Sequence, residues 1–227
     1  MKKPERMLLL FLCIAAGGCS SLRPSRSAIH PKLHVVEHER GICHLCDLYH
    51  HKRTVLVRIL TAEGECTGIV VSGKGDILTL AGRIMGAGRI IIETHDRKHL
   101  PARILRCDKD RDLAQLKAAA SGADWTPLSL ERKRVPVVGD LVYAIGHSDG
   151  LGWTVTEGTM SDYRRAGEVG TTPMIETSAA VYSGNGGGVL VDRLGRFVGL
   201  LSSRATTPDK QTIAFGIPIS VLASFVR

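Results

Sequence analysis

The sequence predicts an all-β protein, either a sandwich or a barrel, because short apolar runs recur along most of its length. From residue 53 onward each run has four to eight residues, is rich in Val, Ile and Thr, and is bounded by Gly, Asp, Lys or Ser. Almost no helical period separates the runs, as expected of strands joined by turns. Closely spaced strands of this kind are typical of sandwiches and barrels.

The runs fall into two halves of about six strands each, joined by the polar segment 121–136. The runs of the first half are TVLVRIL, CTGIVV, DILTL, RIIIET, ARILRC and LAQLKA. Those of the second half are LVYAIG, WTVTEGTM, MIETSA, GVLVD, FVGLLSS and TIAFGI. Only the final stretch, IPISVLASFVR, predicts a helix, with Pro218 near its first turn, where a missing N–H is tolerated.

Residues 1–18 have the pattern of a lipoprotein signal peptide. Basic residues precede the run MLLLFLCIAA, which is too short to span a bilayer. The following AAGGC resembles a bacterial lipobox, so we expect acylation of Cys19 and a membrane anchor. An ordinary cleaved signal with an incidental cysteine is the alternative. Ser20 is not the aspartate associated with inner-membrane retention, which favours the outer membrane and the periplasm.

Residues 19–52 form a predicted tether, with two prolines and no stable periodicity. The tether contains the stretch HVVEHERGICHLCDLYHH, in which Cys43, Cys46, His50 and His51 are weak candidates for a zinc site. Their spacing is not that of a standard zinc finger. Disulfides are the favoured alternative in an exported chain, so we expect no metal and no cofactor.

Four cysteines follow Cys19, an even number that fits two disulfides. Cys66 and Cys107 lie on predicted strands of the same half and could pair with each other. This leaves Cys43 and Cys46 as a local pair. The sequence alone does not determine the connectivity.

Three consecutive glycines in YSGNGGGVLV introduce a resemblance that extends over most of the chain. The segments GIVVSGKGDILTLAG, DKDRDLAQLK, GDLVYAIGHSDGLGWTVTEGTMS, IETSAAVYSGNGGGVLVDRLGRFVGLLSS and IAFGIPIS resemble, in this order, the protease domain of the Deg/HtrA family of trypsin-like serine proteases. The resemblance covers about residues 53–221. It implies a chymotrypsin-like pair of six-stranded β-barrels, with lobes at about 53–125 and 126–227 and the active-site cleft between them.

The resemblance also assigns the three positions of a catalytic triad, in which a serine attacks, a histidine takes its proton and an aspartate orients the histidine. The histidine position is Gly82 in GDILTLAGRI, the aspartate is Asp112 in RDLAQLK, and the serine position is Gly186 in GNGGG. Two of the three groups are therefore replaced by hydrogen. Without its histidine, Asp112 is expected to accept backbone hydrogen bonds. Backbone N–H groups of Gly184, Asn185 and Gly186 are expected to remain as oxyanion-type donors.

These assignments predict a membrane-anchored pseudoprotease that binds protein or peptide. One alternative is a serine endopeptidase with a displaced centre based on His95, His99 or His147, although Ser183 is expected to point away from the nucleophile position. A metal-binding envelope lipoprotein is the other alternative. The net charge is +8, but no basic patch interleaved with aromatic residues indicates a nucleic-acid partner. No PDZ-like extension is expected, and a homo-oligomer such as a trimer stays open.

Overall fold

A computed structural model of the chain describes residues 53–119, 124–131, 136–149, 152–168, 170–206 and 212–226. The predictions for the signal peptide and the tether lie outside the described residues. They include the acylation site Cys19 and the cluster of Cys43, Cys46, His50 and His51. Within the described residues, no helix has the length and apolar character needed to cross a membrane.

The first half of the described chain closes into an antiparallel barrel of six strands. The strands are β1 (Leu56–Thr61), β2 (Gly64–Val70), β3 (Asp76–Leu80), β4 (Ile90–Glu93), β5 (His99–Asp108) and β6 (Leu113–Ala118). Their order around the barrel is β1-β2-β3-β6-β5-β4. Short 3-10 helices at Arg53–Val55 and Ala81–Arg83 precede β1 and follow β3.

The second half forms another closed antiparallel barrel, followed by one helix. Its strands are β7 (Leu141–Ser148), β8 (Gly152–Arg164), β9 (Met174–Thr177), β10 (Val189–Asp192), β11 (Phe197–Thr206) and β12 (Thr212–Pro218). The order around this barrel is β10-β11-β12-β9-β8-β7, and helix α1 (Ile219–Val226) follows β12. Each apolar run predicted as a strand falls on one of the twelve strands. The predicted fold class, two six-stranded barrels with a short C-terminal helix, is confirmed.

Three apolar clusters hold this arrangement together, because alternate residues of each strand face inward. One fills the first barrel, with Ile59, Ile77, Ile92 and Leu116. Another fills the second barrel, with Ala144, Ile175, Leu190 and Leu201. The third joins the two barrels to the helix, with Leu56, Leu78, Leu113, Ile145, Val189, Leu222 and Phe225. Burial of this cluster therefore packs the two barrels and the helix against one another.

Helix α1 ties the end of the chain back to the first barrel. The guanidinium of Arg106 on β5 donates to the carbonyl oxygen of Phe225 at 2.6 Å. It also lies over the Phe225 ring, 4.7 Å from the ring centre, at the distance of a cation–π contact. The C-terminal helix, which leaves the second barrel, thus clamps the two barrels together.

The predicted disulfide between Cys66 and Cys107 is wrong, because both residues are free thiols. Cys66 on β2 faces the interior of the first barrel, 3.7 Å from the hydroxyl of Thr79, whereas Cys107 on β5 is exposed. The two strands are not neighbours in the barrel. Burial raises the pKa of the Cys66 thiol to about 11, so this thiol is protonated at neutral pH.

Candidate functional site

A pocket of about 410 Å³ lies between the two barrels. It brings together residues 82, 112 and 186, the three positions that the sequence analysis assigned to a triad. The first barrel supplies four lining residues, Leu80, Gly82, Arg83 and Asp112. The second barrel supplies five, Val181, Tyr182, Ser183, Gly186 and Ser202.

On the side of the first barrel, Gly82 and Asp112 are held together by hydrogen bonds. The chain leaves β3 in the 3-10 turn Ala81–Arg83, so that the N–H of Gly82 donates to Oδ1 of Asp112 at 2.7 Å. The N–H of Ala81 donates to the backbone oxygen of Asp112 at 3.1 Å. Asp112 is thus an acceptor for backbone N–H groups, as expected from the sequence.

The backbone of Asp112 is in the left-handed region, with φ +52°. Aspartate tolerates this conformation better than most residues, yet it still costs about 1 kcal/mol relative to a relaxed residue. Burial raises the pKa of its carboxyl group, and the hydrogen bond from Gly82 and the charge of Arg83 partly oppose that rise.

On the side of the second barrel, the turn that contains Gly184, Asn185 and Gly186 is buried. The N–H of Asn185 donates to the carbonyl oxygen of Tyr182 at 3.2 Å, so it is used within the turn. Among the residues that the structure describes, the N–H groups of Gly184 and Gly186 have no backbone acceptor. Gly186 lines the pocket and Gly184 does not, so Gly186 is the one expected donor that combines an unpaired N–H with a place in the pocket.

The side chain of Asn185 is anchored in the second barrel and not in the pocket. Its Oδ1 accepts from the hydroxyl of Ser148 at 2.7 Å, and Asn185 is fully buried. A buried amide with satisfied partners fixes the backbone that carries it. Asn185 thus positions the turn, a role that the sequence analysis did not foresee.

Thr67 on β2 connects the same turn to the first barrel. Its N–H donates to the carbonyl oxygen of Gly186 at 3.0 Å, and its hydroxyl donates to that of Gly184 at 2.9 Å. The hydroxyl also accepts from the N–H of His147 at 2.9 Å. Because Thr67 is fully buried, these bonds form in a low-dielectric setting and hold the turn firmly.

None of the described histidines lines this pocket. His147 is buried edge-on against Trp153, with ring centres 5.2 Å apart, and its Nδ1 lies 3.6 Å from the carboxylate of Glu65. His99 lies 3.2 Å from the carboxylate of Glu93, and His95 lines a separate pocket. The three histidines weighed as substitute bases are therefore placed elsewhere.

Two lining residues change the expectation for the pocket. Ser183, which was expected to point away, does line it. Arg83, which the sequence analysis did not single out, also lines it, and its Nε lies 3.9 Å from where a β-carbon on Gly186 would be. The sequence signal for Arg83 is its place directly after Gly82 in TLAGR.

Comparison with known proteins agrees with this architecture. Residues 66–200 match the profile of the family described as "Trypsin-like peptidase domain". The chain belongs to this family. The matched residues begin on β2 and end within β11, and so include the whole of the pocket's first-barrel side and the glycine turn.

Within this family the chain is similar to Deg/HtrA-type proteases. It is 34% identical over 163 residues to the serine endoprotease DegS of Escherichia coli, which covers 68% of this chain and 45% of DegS. It is 35% identical over 162 residues to a probable periplasmic DegP-like endoprotease of Hahella chejuensis, which covers 70% of this chain and 34% of that protein. The chain thus spans less than half the length of either relative.

A solved structure shows the same fold. The HtrA-type protease AlgW, determined with a tripeptide, matches with a TM-score of 0.72 and 27% sequence identity. The match covers 80% of this chain and 62% of AlgW. The resemblance to the Deg/HtrA family inferred from the sequence motifs is thereby confirmed.

Proposed function

We propose that this member of the trypsin-like family has no peptidase activity and binds extended protein segments in the cleft between its barrels. The observation that carries the proposal is the composition of the pocket around residues 82, 112 and 186. Glycine at 82 offers no base and glycine at 186 offers no nucleophile. Removing triad members in subtilisin lowers kcat by up to about 2 × 10⁶, so little hydrolysis is expected here.

The remaining features of the pocket support binding without cleavage. Gly186 lines the pocket, and its N–H group suits a carbonyl or carboxylate oxygen. Extended peptides bind to folds of this kind by pairing with exposed backbone groups. AlgW was solved with a tripeptide, and that structure supports the same class of ligand for this chain.

The experiment uses the detergent-solubilised full chain. We expect no labelling by a fluorophosphonate probe, no cleavage of unfolded casein, and saturable binding of fluorescein-labelled unfolded casein. Labelling that disappears in a Ser183→Ala variant would instead establish a peptidase with a displaced centre, because Ser183 lines the pocket. Absence of casein binding would contradict the binding role.

A gain-of-function variant is the matched control. A β-carbon on residue 82 would lie 3.2 Å from Oδ1 of Asp112, so a histidine there can reach the carboxylate. We expect the double variant Gly82→His, Gly186→Ser to become labelled by the probe. The single variants lack one half of the nucleophile–base pair and are expected to stay unlabelled.

We further propose that an acylated Cys19 anchors the chain in the bacterial envelope, with the barrels in the periplasm. The AAGGC motif and the similarity to a probable periplasmic endoprotease support this location. Radiolabelled palmitate is expected to be incorporated into the chain in its bacterial host and to be lost in a Cys19→Ala variant. Incorporation that persists in the variant would contradict the assignment.

A further inference from the structure

The pocket carries a positive charge, supplied by Arg83. Arg83 lines the pocket, and its Nε lies 3.9 Å from where a β-carbon on Gly186 would be. No ion pair or hydrogen bond of its guanidinium is found among the residues that the structure describes. Arg83 is exposed, so its donors are accessible from solvent.

Gly186 lines the same pocket from the opposite barrel, and its N–H has no backbone acceptor among the described residues. It belongs to a turn that Thr67 and Asn185 hold rigidly by buried hydrogen bonds. A backbone N–H held in a rigid turn is a suitable donor for an anion. A guanidinium adds a planar fork that matches the two oxygens of a carboxylate.

Asp112 is the acidic residue of the pocket, and its carboxylate is hydrogen-bonded to the backbone. Oδ1 of Asp112 accepts from the N–H of Gly82 at 2.7 Å. Among the residues that the structure describes there is no ion pair between Asp112 and Arg83, and the charge of Arg83 only partly opposes the rise that burial causes in the pKa of Asp112. The guanidinium is therefore left to an external anion.

We propose that the pocket binds a carboxylate group carried by a peptide, with Arg83 and the N–H group of Gly186 as donors. This inference rests on the proposed peptide-binding function and names the group that the cleft recognises. The carboxylate belongs to the C-terminus of the peptide or to an aspartate or glutamate side chain. An uncharged internal peptide bond lacks the charge that Arg83 complements.

The test compares three labelled hexapeptides by fluorescence anisotropy with the full chain in detergent. One has five alanines and a C-terminal valine with a free carboxylate, the second is its C-terminal amide, and the third is an amide with glutamate at the fourth position. Hydrogen bonds to charged groups are stronger than those between neutral groups, so the free acid is expected to bind at least about tenfold more tightly than the neutral amide.

The matched variants are Arg83→Gln and Arg103→Gln, which remove the same charge. Arg103 is exposed on β5 and does not line the pocket. The preference for the free acid is expected to disappear in Arg83→Gln and to persist in Arg103→Gln. If the glutamate peptide binds with the same affinity as the free acid, the pocket recognises side-chain carboxylates. If it binds with the same affinity as the neutral amide, the pocket recognises the C-terminal carboxylate. Equal affinity for all three peptides, or an unchanged preference in Arg83→Gln, would overturn the inference.

Binding of unfolded casein separates this inference from the proposed function. If casein binds but the free-acid peptide binds no more tightly than the neutral amide, the carboxylate inference fails and the peptide-binding role stands. If neither casein nor any hexapeptide binds, both fail. If casein binds and the tighter binding of the free-acid peptide depends on Arg83, both the peptide-binding role and the carboxylate inference are supported.

Discussion

The glycines around the pocket fall into two groups that differ in the space around them. At Gly184 and Gly187 φ is +88° and +87°, and an added β-carbon would meet backbone oxygens at 2.6 Å and 2.0 Å. At Gly82 and Gly186 φ is not positive, and an added β-carbon would meet side-chain atoms at 3.2 Å and 3.0 Å. The first pair is required by the backbone, whereas the second pair is not.

This difference separates glycines that the fold requires from glycines that it only tolerates. The backbone of the turn needs glycine at 184 and 187, so these residues belong to the architecture of the fold. The backbone conformation does not require glycine at 82 or 186, where an added β-carbon fits after a small shift of neighbouring side chains. The scaffold therefore accommodates glycine at these two positions without needing it, and this supports the proposed function.

Gly187→Ala is expected to have the largest effect on the stability of the fold. Its methyl group would lie 2.0 Å from the carbonyl oxygen of Thr67, and the residue would keep a positive φ. We expect the free energy of unfolding to fall by at least about 3 kcal/mol, or the chain to fail to fold. Urea unfolding followed by tryptophan fluorescence measures the change. A loss below about 1 kcal/mol would mean that the turn relaxes easily and that the two groups of glycines are not distinct.

Thr67→Val is expected to have the next largest effect. Valine has the shape of threonine but leaves the carbonyl oxygen of Gly184 and the N–H of His147 without the partner they have now. Unsatisfied buried polar groups cost about 1–3 kcal/mol, so we expect a loss of about 2 kcal/mol in urea unfolding. The control is Thr61→Val, whose hydroxyl bonds at the exposed turn between β1 and β2. A similar loss in both variants would contradict the special role of Thr67.

The strands and the meeting of residues 82, 112 and 186 could be predicted from the sequence. Apolar runs bounded by turn residues are a local signal, and local signals determine strands well in a closed barrel. The meeting of the three positions was predicted from the resemblance of whole motifs to a known family. The strands and the meeting of the three positions could both be predicted because each apolar run and each family motif lies within one continuous segment of the chain.

The features that the sequence did not predict depend on contacts between distant segments. Cys66 and Cys107 were candidates for a disulfide because both lie in the first half of the chain, but their strands β2 and β5 are not neighbours in the barrel. The partner of the Asn185 side chain, Ser148, lies 37 residues away in the sequence. No local pattern reveals either arrangement.

His147 offers a pH-dependent test of the strand that borders Gly184. Burial and, next, the charge of Arg58 lower the pKa of His147 below its ordinary value of 6.5, against the opposing carboxylates of Glu65, Glu93 and Asp149. The unfolded chain therefore binds a proton at higher pH than the folded chain. Stability is expected to fall as the pH drops from 6.5 towards the lower pKa of the folded state.

The measurement is urea unfolding of the wild type and His147→Gln at pH 7.5 and 5.5. The free energy of unfolding is expected to decrease more in the wild type than in the variant, whose side chain does not titrate. The comparison uses the difference between the two pH values, so a constant loss from the contact with Trp153 cancels. An equal decrease in both proteins would show that His147 is not protonated on unfolding.

The smallest effect is expected for Gly186→Ala, in the same turn as Gly187. Its methyl group would lie 3.0 Å from Cδ1 of Leu80, the end of a flexible side chain, and 3.3 Å from the carbonyl oxygen of Ser202. The lower entropy of the unfolded chain contributes about 0.4–1 kcal/mol of stability and offsets this crowding. We expect a change within about 0.5 kcal/mol in urea unfolding. A loss as large as that of Gly187→Ala would mean that the backbone requires glycine at 186, and the absence of a nucleophile would then be a structural necessity of this turn.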